Sequence, residues 1–328
     1  MKIIITGGCG FIGHHFVQHI YVNTDWDIII IDKLSYASKG LDRLKDLNYI
    51  GNPRITIFTF DLINPLSDGI KIEIGNPDII VHMCAETHVD NSIKYPVSVI
   101  TNNINSTVNI LEYARSLKNL KCFFYFSTDE VYGPAPTGTL YKEWDRHKPT
   151  NPYSASKSSG ENICISYENT YKIPLIIVNV MNVIGERQYI EKFIPLTIKK
   201  LLNNEKILIH GDKNKNSGTR FYIHARNVAD AVLFLLNNGQ IGEKYNITGD
   251  REISNLEMAL FIAKTLEKKI NYEIIDFHSE RPGHDLRYGL DGTKIKELGW
   301  TPPISFDESL IKTILWTIKQ ENIKWLEN

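Results

Sequence analysis

Cysteine is scarce in this chain: four among 328 residues, at positions 9, 84, 122 and 164, with no Cys-x-x-Cys pair. They are too few and too scattered for a disulfide framework or a zinc site, and a reducing compartment fits them best. A charge of one sign is lacking as well. Lys and Arg number 37 against 38 Asp and Glu, a formal net charge of −1, so no global field draws the protein to nucleic acid or to an anionic membrane. Any phosphate must be held locally. No apolar run approaches the roughly 18–20 residues of a membrane helix. Ile3-Ile4-Ile5 runs straight into Thr6-Gly7-Gly8 with no apolar leader segment behind it, which predicts a soluble, cytoplasmic protein. With 42% hydrophobic and 23% charged residues, disordered, collagenous and coiled-coil readings are excluded. The length predicts one large α/β unit or two domains sharing a cleft.

What is present alternates. Six short runs, Lys2–Thr6, Asp27–Asp32, Arg54–Phe60, Pro77–Met83, Lys121–Ser127 and Pro174–Val180, are rich in β-branched or aromatic residues. Continuous apolar runs of this length predict strands of a parallel sheet buried on both faces. Phe11–Val22, Tyr95–Ser116 and Asn151–Tyr171 read as helices between them. The alternation predicts βαβ units and an α/β fold, a Rossmann-like doubly wound parallel sheet. After about residue 180 the strands shorten, and polar loops at Gly211–Gly218 and His278–Asp285 separate helices at about 225–237, 254–267 and 305–319. We read residues 1–180 as a dinucleotide-binding domain and 181–328 as a smaller C-terminal α/β substrate lobe, with the chain able to re-enter the first domain.

Thr6-Gly7-Gly8-Cys9-Gly10-Phe11-Ile12-Gly13 stands between the first run and the first helix. Glycines at 7, 10 and 13 permit a tight turn, close backbone approach to a pyrophosphate and close helix–strand packing, and the helix N-terminus offers N–H groups to the anion. Asp32 closes the second run 19 residues past Gly13, where a carboxylate accepts hydrogen bonds from a ribose and repels a 2′-phosphate. Glycines can serve a sharp turn alone; the strand before them, the helix after and the acid at this distance favour a dinucleotide. Lys33 is a complication, because a cation there suits NADP; the acid favours NAD.

Phe126-Ser127-Thr128-Asp129-Glu130-Val131-Tyr132-Gly133 marks the carboxyl end of the fifth run, where open α/β sheets place their ligands. Further on, Tyr153 and Lys157 lie four apart and so share a helical face. A phenol is a poor base at neutral pH, but an adjacent ammonium and a nicotinamide cation favour the phenolate. The pair is then fit to take a hydroxyl proton while hydride leaves the same carbon. On a bare helix the same spacing is ordinary surface sequence; downstream of a dinucleotide loop it reads as catalytic. His14, His15 and His19 sit on the first helix. They read as packed or solvated, and no metal is expected.

These residues carry a resemblance. TGGCGFIG at 6–13, DKLSYA at 32–37, AETHVD at 85–90, STDEVYG at 127–133 and PYSASK at 152–157 resemble the extended short-chain dehydrogenase/reductase superfamily and, within it, the nucleotide-sugar 4,6-dehydratases. EKFIPL at 191–196, RFYIHARNVADAV at 220–232, YNITG at 245–249 and RPGHDLRY at 281–288 extend the resemblance nearly end to end. Asp129-Glu130 and the RPGHD segment are its specific parts; the rest also occurs in epimerases and decarboxylases. The resemblance implies an NAD enzyme with Thr128, Asp129, Glu130, Tyr153 and Lys157 as catalytic residues. It implies cofactor contacts from Gly7, Gly10, Phe11, Ile12, Gly13, Asp32, Lys33, Ser35, Asp61, Ala85, Tyr153 and Lys157. For a nucleotide-sugar substrate it implies Thr87, Thr128, Asn182, Lys192, Arg220, Asn246, Arg281 and His284, with the two arginines clamping the diphosphate. Thr87 replaces the family's usual Ser and keeps a hydroxyl. Asn182 opens Asn-Val-Ile-Gly-Glu where the family has Asn-Asn-Tyr-Gly-Pro.

Adjacent acids at a strand end are otherwise a solvated turn or a helix cap. Within this family they suit an elimination: one carboxylate takes the C5 proton of a hexose and one carboxylic acid protonates the departing 6-hydroxyl. Neighbouring side chains on a strand point to opposite faces, so both acids reach one sugar only if the strand has ended and the chain turns. The implied reaction is C4 oxidation, loss of water across C5–C6 and C6 reduction, on dTDP-glucose or UDP-glucose. A homodimer packed through helices 95–116 and 151–171 is implied too, with 6-deoxyhexose (rhamnose-type) synthesis as the destination. A 4-epimerase or decarboxylase is the enzymic alternative, against which the acid pair argues. A non-catalytic NAD-binding regulator would need a broken Tyr/Lys or acid pair.

Overall fold

The computed structural model describes residues 1–276 and 286–327. Strand β1 (Lys2–Thr6) leads into α1 (Phe11–Asn23), followed by β2 (Asp27–Asp32), α2 (Asp42–Asp46), β3 (Ile55–Thr59), α3 (Asp68–Ile74) and β4 (Ile79–His82). Next come α4 (Val89–Lys94), α5 (Pro96–Ser116), β5 (Cys122–Thr128), α6 (Pro152–Tyr171), β6 (Leu175–Val180) and β7 (Asn182–Ile184). Then follow α7 (Phe193–Leu202), β8 (Ile207–Gly211), β9 (Thr219–His224), α8 (Ala225–Asn238) and β10 (Lys244–Ile247). The chain continues through β11 (Glu252–Ser254), α9 (Asn255–Thr265), β12 (Tyr272–Asp276), α10 (Thr293–Glu297) and α11 (Phe306–Thr317). The six strands and three long helices expected in the first half form within two residues of their predicted bounds.

The main sheet has seven strands in the order β10-β6-β5-β4-β1-β2-β3, and every neighbouring pair is parallel. Both faces are buried. Ile3 and Ile5 join the core formed with Phe16 and Ile20 of α1 and Val228 and Val232 of α8. Ile4 points the other way, to Ile110 and Ala114 of α5 and Cys164 of α6. One strand thus glues two helical layers, which is why it reads as an unbroken apolar run. Strand order reverses between β1 and β4, and at such a switch point a crevice opens outside the carboxyl ends of the strands.

Beyond β6 the chain leaves this sheet and then returns to it. Two small sheets, β11-β9-β7 and β12-β8, build a second lobe around Ile194, Ile209, Met258 and Leu310. Between them, α8 packs on α1 and β10 pairs with β6, Lys244 opposite Ile177. Residues 225–247 therefore lie with the first sheet. Among the described residues no helix is long and apolar enough to cross a membrane.

Candidate active site

The crevice at the switch point is lined by Gly7, Gly10, Phe11, Ile12, Gly13, Asp32, Lys33, Ser35, Asp61 and Ala85, and also by Thr87 and Lys192. Gly7 has φ +75°, and a Cβ there would stand 2.9 Å from the Cys84 Cα; a Cβ on Gly13 would stand 2.1 Å from the Gly7 carbonyl oxygen. Only glycine lets β1 turn into α1 this closely. Helix α1 has no side-chain N-cap, so its first-turn N–H groups are left to a ligand. Asp32 sits beside them. Its Oδ2 accepts from the Cys9 N–H at 3.0 Å and its Oδ1 from the Leu34 N–H at 2.8 Å. Burial raises its carboxyl, and these two N–H groups pull it back. Lys33 is already engaged, with Nζ 2.7 Å from Glu86 and donating to Asn102 Oδ1 at 2.8 Å.

The candidate reacting groups are side chains clustered at the end of β5, the strand that gives Phe126 to the crevice lining. Strand β5 stops at Thr128 and Asp129–Tyr132 wind into a 3₁₀ turn, so Asp129 and Glu130 leave the strand's alternation. Helix α6 begins with a reciprocal cap: Asn151 Oδ1 accepts from the Ser154 N–H at 2.8 Å, and Ser154 Oγ accepts from the Asn151 N–H at 3.2 Å. Pro152 follows the cap in the first turn, where its fixed φ and missing N–H cost nothing. This start places Tyr153 one turn before Lys157. The Thr128 hydroxyl donates to Asp129 Oδ1 at 3.0 Å, and its interaction with the Tyr153 phenol favours the ionised form. Glu130, half-buried, accepts from Asn151 Nδ2 at 3.1 Å.

Burial sets the protonation here. Asp129 is 3% exposed, and its Oδ2 has no hydrogen-bond partner among the described residues. Burial first, then the charge of Glu130, pushes its carboxyl up to about 7, against the Thr128 hydroxyl and Arg220. The Tyr153 phenol is pushed well up by burial and by Glu130 and Asp129. Burial brings Lys157 down to about 8. Thr128 eases the ionisation of Tyr153, and the Lys157 ammonium lies 4.3 Å over the Tyr125 ring.

The residues expected at the sugar and diphosphate are dispersed. Thr87 and Lys192 line the same crevice as the glycine loop. Asn182 opens β7, half-buried. Arg220 lies on β9, 4.7 Å over the Tyr288 ring, with Nη1 donating to the carbonyls of Thr219 and Leu286 at 2.7 and 2.6 Å. Asn246 is not brought to the crevice. It is fully buried in β10, and its amide donates to the carbonyls of Tyr141 and Asp291 at 3.0 and 3.1 Å; it ties loops to the sheet. Arg281 and His284 lie outside the described residues.

Some residues escaped the sequence reading. Asn151 holds both the α6 start and Glu130, and its place before Pro152 was the available signal. Glu186, standing where the family has Pro, accepts from His224 Nε2 at 3.0 Å and pairs with Arg226 at 3.3 Å. Its carbonyl meets His15 Nε2 at 3.1 Å, so His15 is a packed histidine. Among the described residues no group of three or more His, Cys, Asp or Glu stands where a metal ion could be held.

The GDP-mannose 4,6 dehydratase family pattern matches residues 4–313. A dTDP-glucose 4,6-dehydratase of Escherichia coli is 35% identical over 352 aligned positions, which take in 100% of this chain and 95% of the relative. A solved dTDP-glucose 4,6-dehydratase from Bacillus anthracis, in complex with NAD, has a TM-score of 0.87 at 30% identity over 98% of this chain and 97% of that one. A UDP-glucuronic acid 4-epimerase from Bacillus cereus, with UDP-glucuronic acid and NAD, also reaches 0.87, at 26% identity over 99% and 100% of the two chains. Fold alone thus does not separate these chemistries. Matched by the family pattern over most of its length and by a relative above 30% identity along all of it, the chain belongs to the GDP-mannose 4,6 dehydratase family.

Proposed function

We propose that this protein removes water from dTDP-glucose, with NAD as a recycled cofactor, to give the 4-keto-6-deoxy sugar nucleotide. The observation that carries the reading is the acid pair at the end of β5: Asp129 buried with its carboxyl near 7 and Glu130 half-buried beside it. The curated relatives named dTDP-glucose 4,6-dehydratase support the substrate. UDP-glucose is the rival, because one methyl group separates thymine from uracil and is worth only ~1–3 kcal/mol of discrimination.

The glycine loop and the first turn of α1 would hold a pyrophosphate, and Asp32 the adenosine ribose. Lys33, engaged by Glu86, supports NAD over NADP. Bound NAD supplies the hydride acceptor for C4 and later the donor for C6. Tyr153 takes the 4-hydroxyl proton, assisted by Thr128 and Lys157. A ketone at C4 acidifies C5, and Glu130 takes that proton. Asp129, which holds its proton near neutral pH, passes it to the departing 6-hydroxyl, so one water leaves. As C6 is reduced, Glu130 returns its proton to C5, and the proton taken by Tyr153 makes good through solvent the one lost by Asp129, so the protons balance. We assign Thr87 and Lys192, which line the crevice, and Arg220 of β9 to the sugar and diphosphate. We assign the first sheet, including residues 225–247, to the dinucleotide and the second lobe to the substrate. A homodimer through α5 and α6 fits the exposed Tyr95 and Val97 at the start of α5, and free cysteines fit a cytoplasmic setting.

The test is direct. The purified protein is incubated separately with dTDP-glucose and UDP-glucose, and products are weighed by mass spectrometry. Loss of water from dTDP-glucose, at a higher specificity constant than from UDP-glucose, is expected. The combined change Asp129→Asn and Glu130→Gln should abolish that product while NAD stays bound. Intact mass from both substrates, with NAD bound, would turn the reading to 4-epimerisation.

A further inference from the structure

Behind the reacting end of β5 lies an ionic cluster that the chemistry above does not use. Ser127 and Thr128 point to opposite faces of the strand. Thr128 turns to Asp129 and Tyr153, and Ser127 turns to Glu161, which sits on α6 one turn beyond Lys157 and is fully buried. Glu161 Oε1 accepts from Ser127 Oγ and, at 2.8 Å, from Asn179 Nδ2; the same amide donates to the Thr128 carbonyl at 3.0 Å. Lys244 of β10, 1% exposed, stands 2.6 Å from Glu161 Oε2 as an ion pair off the line of a hydrogen bond. His147 Nε2 completes the set, 3.0 Å from Lys244 Nζ, with its Nδ1 bonded to Ser158.

Stability is a poor reason for burying such a pair, because apolar residues of similar volume commonly replace one at no loss. Position is a better one. Glu161 joins the end of β5 through Ser127, β6 through Asn179 (whose amide also holds the Thr128 carbonyl) and helix α6, the three pieces whose mutual placement decides whether Tyr153 meets Thr128 and the acids. It also stands four residues from Lys157, on the same helical face. Building on the dehydratase reading, we propose that Glu161, anchored by Lys244, is a positioning residue: it locks α6 to the end of β5, and its negative charge keeps the Lys157 ammonium in the site.

The surroundings leave that task to Glu161. Glu161 and Cys164 act on Lys157 from its own helix, where Tyr153 precedes it by one turn, His82 and Cys84 from β4 and its end, and the Tyr125 ring faces it from β5. Burial holds His82 near 3 and Cys84 near 11 and raises Cys164 and Tyr153, so all four are uncharged at neutral pH. Asp129 and Glu130, on the turn after β5, act on Tyr153. Glu112 of α5 is bound to Tyr167 and Arg115, and Asp90 of α4 faces His88. Glu161 itself is faced by Lys244 and His147, with Tyr132 packed on both and Glu143 acting on Lys244.

The experiment follows Lys157 directly, in NAD-loaded protein carrying 13C-labelled lysine, with Lys157→Met to assign its NMR signal. Lys244→Met and the combined Glu161→Gln, Lys244→Met variant are titrated beside the wild type. Loss of both charges is expected to lower the Lys157 midpoint by about one pH unit, and loss of Lys244 alone to raise it. Ser127→Ala cuts one anchor and no charge; it should lower kcat for water loss about tenfold with KM and the Lys157 midpoint unmoved. A merely structural cluster would leave the Lys157 midpoint in place in every folded variant, and that result overturns the charge role. Unchanged kcat in Ser127→Ala overturns the lock, and it decides alone if the combined variant does not fold. Should the wild type dehydrate neither dTDP-glucose nor UDP-glucose, the dehydratase reading falls, while the Lys157 midpoints still decide the part played by Glu161.

Discussion

The glycine-lined crevice and the side-chain cluster at the end of β5 are made of different material. At the phosphate end the groups offered to a ligand are main-chain N–H groups at the start of α1, shaped by glycines that leave no room for a Cβ. At the reacting end they are buried side chains, Asp129, Tyr153 and Lys157, whose protons are set by how little water reaches them. Main-chain N–H groups do not titrate, so binding by them depends on shape, with Asp32 the ionisable group beside them. A buried side-chain site depends on pH and on each partner. Dinucleotide binding should therefore survive changes that stop the chemistry, and the chemistry should fail by steps.

The largest effect should come from breaking the backbone end. In Gly13→Val the side chain has no space against the Gly7 carbonyl, 2.1 Å from the first added carbon, so the protein should purify without nucleotide. Absorbance at 260 nm and assay of released NAD measure this; stoichiometric NAD in the variant would mean that the loop is not the cradle. Tyr153→Phe probes the other end. It should keep its NAD and lose roughly 10²–10⁴ in kcat, the usual worth of a proton-transfer group. A variant that lost both would erase the distinction between the two ends.

Asp129→Asn sharpens the comparison through pH. The native carboxyl titrates near 7 against 3.8 for an ordinary Asp, chiefly because it is buried. Between those values the folded protein holds a proton that the unfolded chain releases. The stability tied to this residue is thus fully present below about pH 4 and is lost as pH rises through 7. Asn has no such loss. The variant should dehydrate substrate ~10²–10⁴-fold more slowly yet be the more stable protein at pH 8, by up to about 4 kcal/mol. Melting temperatures of both proteins at pH 5 and pH 8 check it. Parallel trends would show that Asp129 is ionised in the native site.

Legibility follows the same division. Ile28–Ile31 and the glycine spacing could be read because a strand buried on both faces and a loop that admits no Cβ each impose their own local pattern. The turn after Thr128 followed from the need of two adjacent acids to face one sugar. What sequence did not reveal depends on pairing between distant segments. Asn246, matched by motif to the substrate, is instead sealed inside β10 because that strand returns to pair with β6. The same return brings Lys244 to Glu161, a contact with no local signature. Protonation is equally hidden: the Tyr153–Lys157 spacing gives the residues, whereas burial raises the phenol and lowers the ammonium.

Asn151 belongs to both kinds of construction, and its effects should be the smallest. It caps α6, a role visible in the Asn-Pro start, and it also donates to Glu130 at 3.1 Å, a role that is not visible there. Asn151→Ala removes the cap at a cost of about 1 kcal/mol, lowering the melting temperature by a few degrees. It also removes one hydrogen bond from the base, which at about 1 kcal/mol corresponds to roughly a fivefold fall in kcat. Asn151→Ser separates the two. Serine restores the cap but is one atom too short to reach Glu130, so stability should return while kcat stays low. If serine restored both, the contact of Asn151 with Glu130 would have no share in the chemistry, and the acid pair would be oriented by the turn after β5 and its other neighbours, Tyr288 among them.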